Sequence, residues 1–418
     1  MNLLILAWKS AKARAVTTAL TIMTIAISTA LLLGVEKIRT GARASFEQTI
    51  SGTDLIVGAR SGGVNLLLYS VFRLGEPTAN LSWETYQGFS QRPDVAWAVP
   101  ISLGDSHDGF RVLGTTTDYF EYYRYGDKRQ LSFSAGAPFS GVFDAVLGAE
   151  VARDLGYALG DEFDIAHGIK SAGFAEHKDR PFKVVGVLKA TGTPVDRTIH
   201  VSLEGVEAVH LGWNNGAPSI GRRPQPEIDA SALQPEAITA FLVGLKSKSA
   251  VLRFQRDANT YRGEALTAVI PGVALSQLWR VVGAAEQALR WVAILVVAAG
   301  LSGLLTTLLT SLNERRREIA VLRSVGARNT DVFFLLVFES TLVAAVGAFI
   351  GALFICAVLL VFARPIEALA GFPLGGFSLT AYDLAITVGV VTIGFALGFV
   401  PGWLAYRQSL SDGLTVRI

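Results

Sequence analysis

The sequence predicts a membrane α-helical protein with four transmembrane helices and a large α+β domain inserted after the first of them. Four apolar runs are each long enough to cross a bilayer, and a long mixed segment separates the first run from the second. Only 17% of the residues are charged, whereas a soluble domain carries roughly 25%. Together with a mean hydropathy of +0.42, this deficit indicates that part of the chain lies in lipid.

Each apolar run is matched to the thickness of a bilayer, which a helix of about 20 apolar residues can cross. The first run carries no charged residue, and the third is interrupted only by Glu339. The first run is longer than the roughly 7–15 residues of a signal-peptide core, and no A-x-A-like cleavage site follows it. We therefore predict an uncleaved anchor followed by three more spans: residues 15–35, 291–312, 332–363 and 384–406.

The distribution of basic residues predicts the orientation, because short cytoplasmic loops are enriched in Lys and Arg. Lys9, Lys12 and Arg14 precede the first run, and five arginines lie between the second and third runs. We expect both termini in the cytoplasm and the large domain outside it. The expected order outside the spans is a cytoplasmic segment 1–14, an extracytoplasmic domain 36–290, a cytoplasmic loop 313–331, a short external loop 364–383 and a cytoplasmic tail 407–418.

The extracytoplasmic segment alternates between strand-like and helix-like stretches. Residues 36–50 and 274–290 continue the first and second spans with helical character, so we expect them to form a stalk. The stretch SWETYQGFSQ predicts a helix that Ser82 caps. Residues of about 106–225 are richer in short strands and glycine turns, and we expect them to form a second, mostly β subdomain.

The loop between the second and third spans contains an amphipathic segment. Residues 314–324 predict a helix, with Ile319, Leu322 and Val325 at three-residue intervals on one face and Gly326 as its C-terminal stop. Asn329 or Thr330 is expected to cap the next helix. A basic anchor at the lipid headgroups is the simpler explanation, but it needs neither an ordered apolar face nor a glycine stop. We therefore favour a docking element for another protein.

The segment ERRREIAVLRSVGAR resembles the coupling segment of the FtsX-like permeases, the family that includes MacB, LolC/LolE and FtsX. The order of elements is also similar: a basic flank, one span, a large external domain and three clustered spans. The resemblance implies a MacB-type periplasmic core with a porter-like α/β layer and a β-rich subdomain. It also implies ATPase-coupling roles for Glu314, Arg315, Arg316, Arg317, Glu318, Ile319, Leu322, Arg323, Val325 and Gly326.

The sequence lacks the G-x-x-x-x-G-K-[ST] phosphate loop, so we expect no enzymatic activity and no cofactor in this chain. The resemblance implies a separate ABC ATPase subunit that binds ATP and Mg²⁺, and a homodimer or a pair with a similar permease. It places the chain in the bacterial inner membrane, in contact with lipid. Its implied external partners are a periplasmic adaptor, a lipoprotein or a substrate protein.

Two functions share this fold at the level of sequence, and we favour the first over the second. The first is an ABC permease that extrudes or extracts a lipoprotein, peptide or amphipathic compound by mechanotransmission. The second is an FtsX-type signalling module that activates an external partner such as a cell-wall hydrolase. A stand-alone secondary transporter is disfavoured, because the four spans show no inverted repeat of broken helices.

Three further patterns suggest sites. Gly347 with Gly351, and Gly394 with Gly398, form GxxxG motifs that allow close helix packing within the protomer or across a dimer. Glu339 within the third span is best explained by a polar partner near the cytoplasmic face. Four histidines fall close together in sequence without metal-ligand spacing, so we predict no metal site there: His167, His177, His200 and His210. The net charge of +2 gives no reason to expect a nucleic-acid partner.

Overall fold

The structure is a computed structural model that describes residues 15–167, 180–210, 213–214, 217–218, 233–314, 316–370 and 380–407. The chain divides into two compact units. A helical unit holds the described residues of 15–41, 283–367 and 380–407, and a mixed unit holds those of 42–282 and 368–370.

The described helices, in chain order, are α1 Ala15–Thr49, α2 Gly63–Phe72, α3 Trp83–Ser90, α4 Asp118–Tyr122, α5 Ala149–Leu155, α6 Leu203–His210, α7 Val251–Asn259, α8 Pro271–Glu314, α9 Arg316–Ser324, α10 Asn329–Ala370 and α11 Ala381–Arg407. Four of them, α1, α8, α10 and α11, are long and apolar enough to cross a membrane. They contain the four runs predicted from hydropathy.

The long helices extend beyond the predicted spans. Helix α1 continues to Thr49 and α8 begins at Pro271, so each predicted span and its stalk segment form one helix. Helix α10 continues to Ala370 and α11 begins at Ala381, so residues 364–370 and 381–383 of the expected external loop are helical. The helix thus continues through Pro365 and into IEALA, a segment rich in helix-forming residues.

The described strands are β1 Leu55–Ala59, β2 Leu81–Ser82, β3 Val95–His107, β4 Phe110–Thr115, β5 Arg124–Tyr125, β6 Arg129–Gln130, β7 Phe133–Gly136, β8 Asp144–Leu147, β9 Glu162–Phe163, β10 Ala166–His167, β11 Phe182–Leu188, β12 Thr198–Ser202, β13 Trp213–Asn214, β14 Ala217–Pro218, β15 Ala237–Ile238, β16 Ala240–Leu245 and β17 Leu266–Val269. One mixed sheet has the order β17-β1-β16-β3-β4-β12-β8-β11-β7, with β10 beside β3 and β9 beside β11. Three small pairs complete the strands: β2 with β15, β5 with β6, and β13 with β14.

Strand β3 joins two halves of the sheet. Its first part pairs with β16, from Val95 to Ile101, and its second part pairs with β4, from Ile101 to His107. Most strands of the 106–225 segment therefore belong to the same sheet as β1, β16 and β17, whereas the pairs β5 with β6 and β13 with β14 remain apart from it. The expected β-rich subdomain is not a separate sheet, because a single 13-residue strand serves both halves.

The two faces of the sheet have different cores, since neighbouring side chains in a strand point to opposite faces. On one face, a single cluster spans both halves and includes Ile56, Ile101 and Leu113. On the other face there are two clusters. Val57 and Phe254 lie in the first, and residues of the middle segment form the second. The middle segment thus has its own core on one face only.

The C-terminus of α1 is capped by the segment around β5. The Gly126 amide donates to the Gln48 carbonyl at 2.7 Å, and the Tyr123 hydroxyl donates to the Thr49 carbonyl. These carbonyls have no partner within their own helix, so both bonds satisfy groups that would otherwise be orphaned. At α3, the Ser82 side chain accepts from the Thr85 amide, which confirms the predicted cap.

Candidate functional site

Helix α9 is a short helix between α8 and α10. Its described residues begin at Arg316 and those of α8 end at Glu314; Arg315 between them lies outside the described residues, so a start at Glu314 stays a prediction. The helix ends in a Schellman motif: the Gly326 amide donates to the Arg323 carbonyl at 3.1 Å, and the Ala327 amide donates to the Leu322 carbonyl at 3.0 Å. Gly326 has φ +104°, which only glycine adopts without strain, so the predicted glycine stop is confirmed.

One face of α9 is buried against the other helices of the helical unit. Ile319 is 7% exposed and forms a cluster with Leu312 of α8, Val332 and Leu336 of α10, and Ala405 of α11. The expectation that Ile319 faces an ATPase is therefore wrong. Periodicity identifies an apolar face, but the helix lies on the span bundle, and its own neighbours cover that face.

A different set of residues is presented outward. Val321 is 54% exposed and Val325 is 84% exposed, and four positions separate them, which places them on one side of the helix. Glu318 lies three positions before Val321 and is also exposed, whereas Leu322 is half-buried. Val321 on α9 and Val325 in the turn just after its last residue form the candidate docking face.

Polar contacts join α9 to α10, and α10 to α11. The Arg323 guanidinium donates to Asn329 Oδ1 at the start of α10, and Asn329 Nδ2 donates to the Tyr406 carbonyl of α11 at 3.3 Å. Asn329 is thus the first residue of α10, and its side chain bridges Arg323 and Tyr406 instead of capping the helix. The Arg328 amide instead donates to Asp331 Oδ2 at 2.8 Å, so Asp331 satisfies the N-terminus of α10.

Part of the predicted coupling segment lies outside this description. Arg315 is not among the described residues, and the side chains of Glu314, Arg316 and Arg317 also lie outside the described part. The geometry of the site therefore rests on residues 318–331.

Both GxxxG motifs lie at close contacts inside the protomer. A Cβ at Gly347 would meet Ile25 at 2.8 Å, and one at Gly351 would meet the Ala26 carbonyl oxygen at 2.3 Å, so α10 packs closely on α1. A Cβ at Gly394 would lie 2.3 Å from Ala344 Cβ, and one at Gly398 would lie 2.9 Å from Ser340 Cβ. Helix α11 is therefore pressed against α10.

At the other end of α11, two carboxylates are buried that the sequence analysis did not single out. Glu36 is 6% exposed and Asp383 is 4% exposed. Lys37 Nζ lies 2.5 Å from Asp383 Oδ2, and Arg290 lies 3.3 Å from Glu36 Oε2. In the sequence, each of these residues appears only as a charge at the edge of an apolar run. No sequence pattern indicates that residues so far apart pair with one another.

The histidines do not form a described site. His200 is fully buried in β12, where its Nδ1–H donates to the Val146 carbonyl at 3.2 Å and its ring packs on Tyr119 and Phe120. Burial lowers the pKa of His200 to about 3. His177 is outside the described residues, as are the side chains of His167 and His210. Among the described side chains, no three His, Cys, Asp or Glu come together as metal ligands.

Comparison with known proteins gives two family matches along the chain. Residues 18–255 match the model of the MacB-like periplasmic core domain, which is more than half of the chain, and residues 291–411 match the FtsX-like permease C-terminal model. The chain belongs to the MacB- and FtsX-like ABC permeases. The permease is accordingly a membrane protein with a large extracytoplasmic domain, as the fold class and the resemblance predicted. Helices α9 and α11 both lie in the FtsX-like part.

Two curated relatives show how much of the chain is shared. The permease is 24% identical over 96% of its length to the macrolide export ATP-binding/permease protein MacB of Azoarcus sp. strain BH72, of which it covers 57%. It is 28% identical over 57% of its length to an ABC transporter permease of Methanocaldococcus jannaschii, of which it covers 55%. The chain thus spans little more than half the length of either relative.

Among solved structures, the periplasmic region of MacB from Actinobacillus actinomycetemcomitans matches 55% of this chain and 94% of its own, at 12% identity and a TM-score of 0.35. The family assignment itself stands on the two sequence models.

Proposed function

We propose that the permease couples ATP hydrolysis by an ABC ATPase subunit to movement of its extracytoplasmic domain, and that α9 is where the ATPase docks. The observation that carries this proposal is the outward pair of Val321 on α9 and Val325 just past its end. Arg323 bonds α9 to Asn329 of α10, and Asn329 in turn bonds the Tyr406 carbonyl of α11. An apolar pair left exposed on a fixed helix is suited to a groove in a partner, since burying it stabilises the complex.

The fixation of α9 supports transmission of force. A push on Val321 and Val325 is resisted by the Ile319 cluster, which includes residues of α8, α10 and α11. The Schellman motif at Gly326 keeps the short connection to α10 in one conformation. A docking element that could fold or slide independently would absorb the movement instead of passing it to the spans.

The orientation in this proposal follows the basic residues. The loop that contains α9 faces the cytoplasm together with both termini, in the bacterial inner membrane, and the mixed unit faces the periplasm. A dimer of this chain, or a pair with a similar permease, then presents two α9 helices to two ATPase subunits. ATP and Mg²⁺ bind to those subunits.

The proposed output is export. The MacB relatives are named for macrolide export, and for this chain we extend only the class of process: extrusion or extraction of a lipoprotein, peptide or amphipathic compound. An adaptor or lipoprotein on the periplasmic side fits the same scheme.

The test is binding and stimulation of the cognate ATPase by the permease in nanodiscs. Full burial of a Val side chain is worth about 1.5–3 kcal/mol, so the double change Val321→Asp and Val325→Asp should weaken binding at least about tenfold. Leu252→Asp is the matched control, because Leu252 is 71% exposed on α7 of the mixed unit. Unchanged affinity and hydrolysis in the folded double variant would make α9 only a topological anchor.

A further inference from the structure

The buried charges at the N-terminal end of α11 form a compact set that also includes α1 and α8. We call Glu36, Lys37, Arg290 and Asp383 the polar clasp. Lys37 of α1 pairs with Asp383 of α11 at 2.5 Å, and Arg290 of α8 pairs with Glu36 of α1 at 3.3 Å. Consecutive residues of α1 therefore contact two different helices.

Both carboxylates are held in place by further bonds. Asp383 Oδ2 accepts from the Thr380 amide at 2.7 Å and from the Thr380 hydroxyl at 2.8 Å, and the Asp383 amide donates to Thr380 Oγ1 at 3.3 Å. This is a capping box at the start of α11. Glu36 also accepts from Arg39 at 2.5 Å. Each carboxylate is thus fixed on its own helix as well as across to another.

Separating Lys37 from Asp383 would leave a carboxylate that is 4% exposed without its cation, whereas Glu36 would keep Arg39 if Arg290 moved away. Such a separation is strongly unfavourable, because an uncompensated buried charge is left behind. An exposed pair such as Arg43 with Glu47, whose side chains are 50% and 52% exposed, can open at little cost. The clasp is therefore expected to remain closed while the helices move.

We propose that the polar clasp makes α1, α8 and α11 move as one body at this end, so that movement of α9 reaches both helices that continue into the mixed unit. Residues 42–49 of α1 and 271–282 of α8 belong to that unit. The opposite end of α11 is already joined to α9 through Asn329 and the Tyr406 carbonyl. Helix α11 is the link between the docking helix and the clasp.

Close packing along α11 explains why it can serve as a link although Pro401 interrupts its hydrogen bonding. Gly394, Gly398 and Gly402 lie against Ala344, Ser340 and Phe333 of α10 along three successive turns. The packing holds α11 on α10, and the clasp then fixes its free end to α1. Lys37 and Asp383 are in this sense positioning residues for the movement.

This inference rests on the proposed function, and its test separates the two. The sample is the full permease with its ATPase in nanodiscs, with the native thiol removed by Cys356→Ser. Spin labels are attached at Leu252→Cys and Trp403→Cys, because Leu252 and Trp403 are 71% and 52% exposed. The distance distribution is measured with and without ATP and vanadate. If the otherwise unaltered protein binds no ATPase or shows no ATP-dependent shift, the proposed function fails, whatever the clasp does.

With the shift established, Asp383→Asn keeps a side chain that can cap α11 but removes its charge. We expect ATPase affinity and hydrolysis to persist. The ATP-dependent change in the equilibrium constant between the two distance populations should fall about tenfold, which is a usual size for coupling between distant sites. Lys37→Gln removes the other charge without touching the cap, and it serves if Asp383→Asn does not fold. Glu47→Gln is the matched control on α1 and should leave the shift intact.

A covalent replacement distinguishes transmission from simple stability. Lys37→Cys with Asp383→Cys, joined by a short thiol-specific cross-linker, should restore the shift that Asp383→Asn loses. An undiminished shift in folded Asp383→Asn and Lys37→Gln would overturn the proposal, because the clasp would then be dispensable. A cross-link that abolishes the shift would overturn it too, since the contact would have to open during the cycle.

Discussion

Gly351 of α10 lies so close to α1 that a Cβ at this position would be 2.3 Å from the Ala26 carbonyl oxygen. Backbone cannot move aside as a flexible side chain can, so Gly351→Ala should force the two helices apart. We expect a loss of about 1–3 kcal/mol, the usual cost of overpacking, measured by thermal unfolding in detergent.

Gly389 of α11 provides the control for this substitution. Apart from its neighbours in the chain and the nearby backbone of its own helix, no atom of the described residues lies within 4 Å of a Cβ built there. Gly389→Ala should therefore be neutral or stabilising, because Ala is the better helix former by about 1 kcal/mol. Equal melting temperatures for the two variants would contradict the close packing of α10 on α1.

The stop at Gly326 allows a second prediction. Its φ of +104° is costly for any residue with a Cβ, so Gly326→Ala should fray the last turn of α9 or shift its direction. We expect ATPase affinity to drop about fivefold, equivalent to the roughly 1 kcal/mol of strain. Gly283→Ala in α8, where φ is not positive, should leave the affinity unchanged. An equal affinity for both variants would show that the stop is not needed for docking.

The two faces of α9 can be distinguished by truncation. Ile319→Ala removes a side chain from the cluster with Leu336 and Ala405, and it should lower the free energy of unfolding by about 2–5 kcal/mol. Val321→Ala touches an exposed position and should change stability by less than about 0.5 kcal/mol. Chemical denaturation in detergent gives both values. A larger loss for Val321→Ala would mean that the faces are assigned the wrong way round.

The stability of the extracytoplasmic domain should decrease on acidification, and His200 is one cause. Its pKa is about 3 in the folded chain, below the ordinary value of 6.5, because burial disfavours the charged imidazole. Between these two values the unfolded state binds a proton that the folded state does not. The contribution of His200 is therefore complete above about pH 6.5 and is lost as the pH falls toward 3, by about 1.4 kcal/mol per unit.

The measurement is the pH dependence of thermal unfolding for the unaltered chain and for His200→Phe, which keeps an aromatic ring between Tyr119 and Phe120. The variant should lose stability less steeply between pH 6.5 and 5. Asp196 contributes in the opposite direction, since burial raises its pKa and protonation then favours the folded state. Comparing the two proteins cancels that contribution. Identical slopes would show that His200 does not titrate across the folding transition.

Topology can be tested with two reporter fusions. A reporter fused after Asp105 should be found outside the cytoplasm, and one fused after Arg328 should be cytoplasmic, because the arginine-rich loop is retained on that side. Cytoplasmic signals from both fusions would refute the orientation on which ATPase docking at α9 depends.

Local patterns in the sequence predicted the elements well. Hydropathy located four helices because a span must be apolar along its whole length, and Gly326 and Ser82 marked helix ends because their roles depend on neighbouring backbone alone. The end of α10 was missed because helix propensity continues where hydropathy falls.

The functional face of α9 could not be predicted in the same way. The spacing of Ile319, Leu322 and Val325 shows that one side is apolar, but a helix lying on a bundle buries its own apolar side. The residues left for a partner depend on where α8, α10 and α11 run. The pairing of Lys37 with Asp383 depends on the same tertiary arrangement, and each charge taken alone resembles an ordinary flank of a span.

Strand β3 has a consequence for engineering. Because its 13 residues pair with β16 at one end and with β4 at the other, a chimera that exchanges the middle segment must cut through a hydrogen-bonded strand. A boundary placed at residue 106 would divide the part of β3 that pairs with β4 and leave an edge of β4 open to pairing with another chain. A transplantable module would have to carry all of β3, and its recipient would need a strand of its own to cover β16.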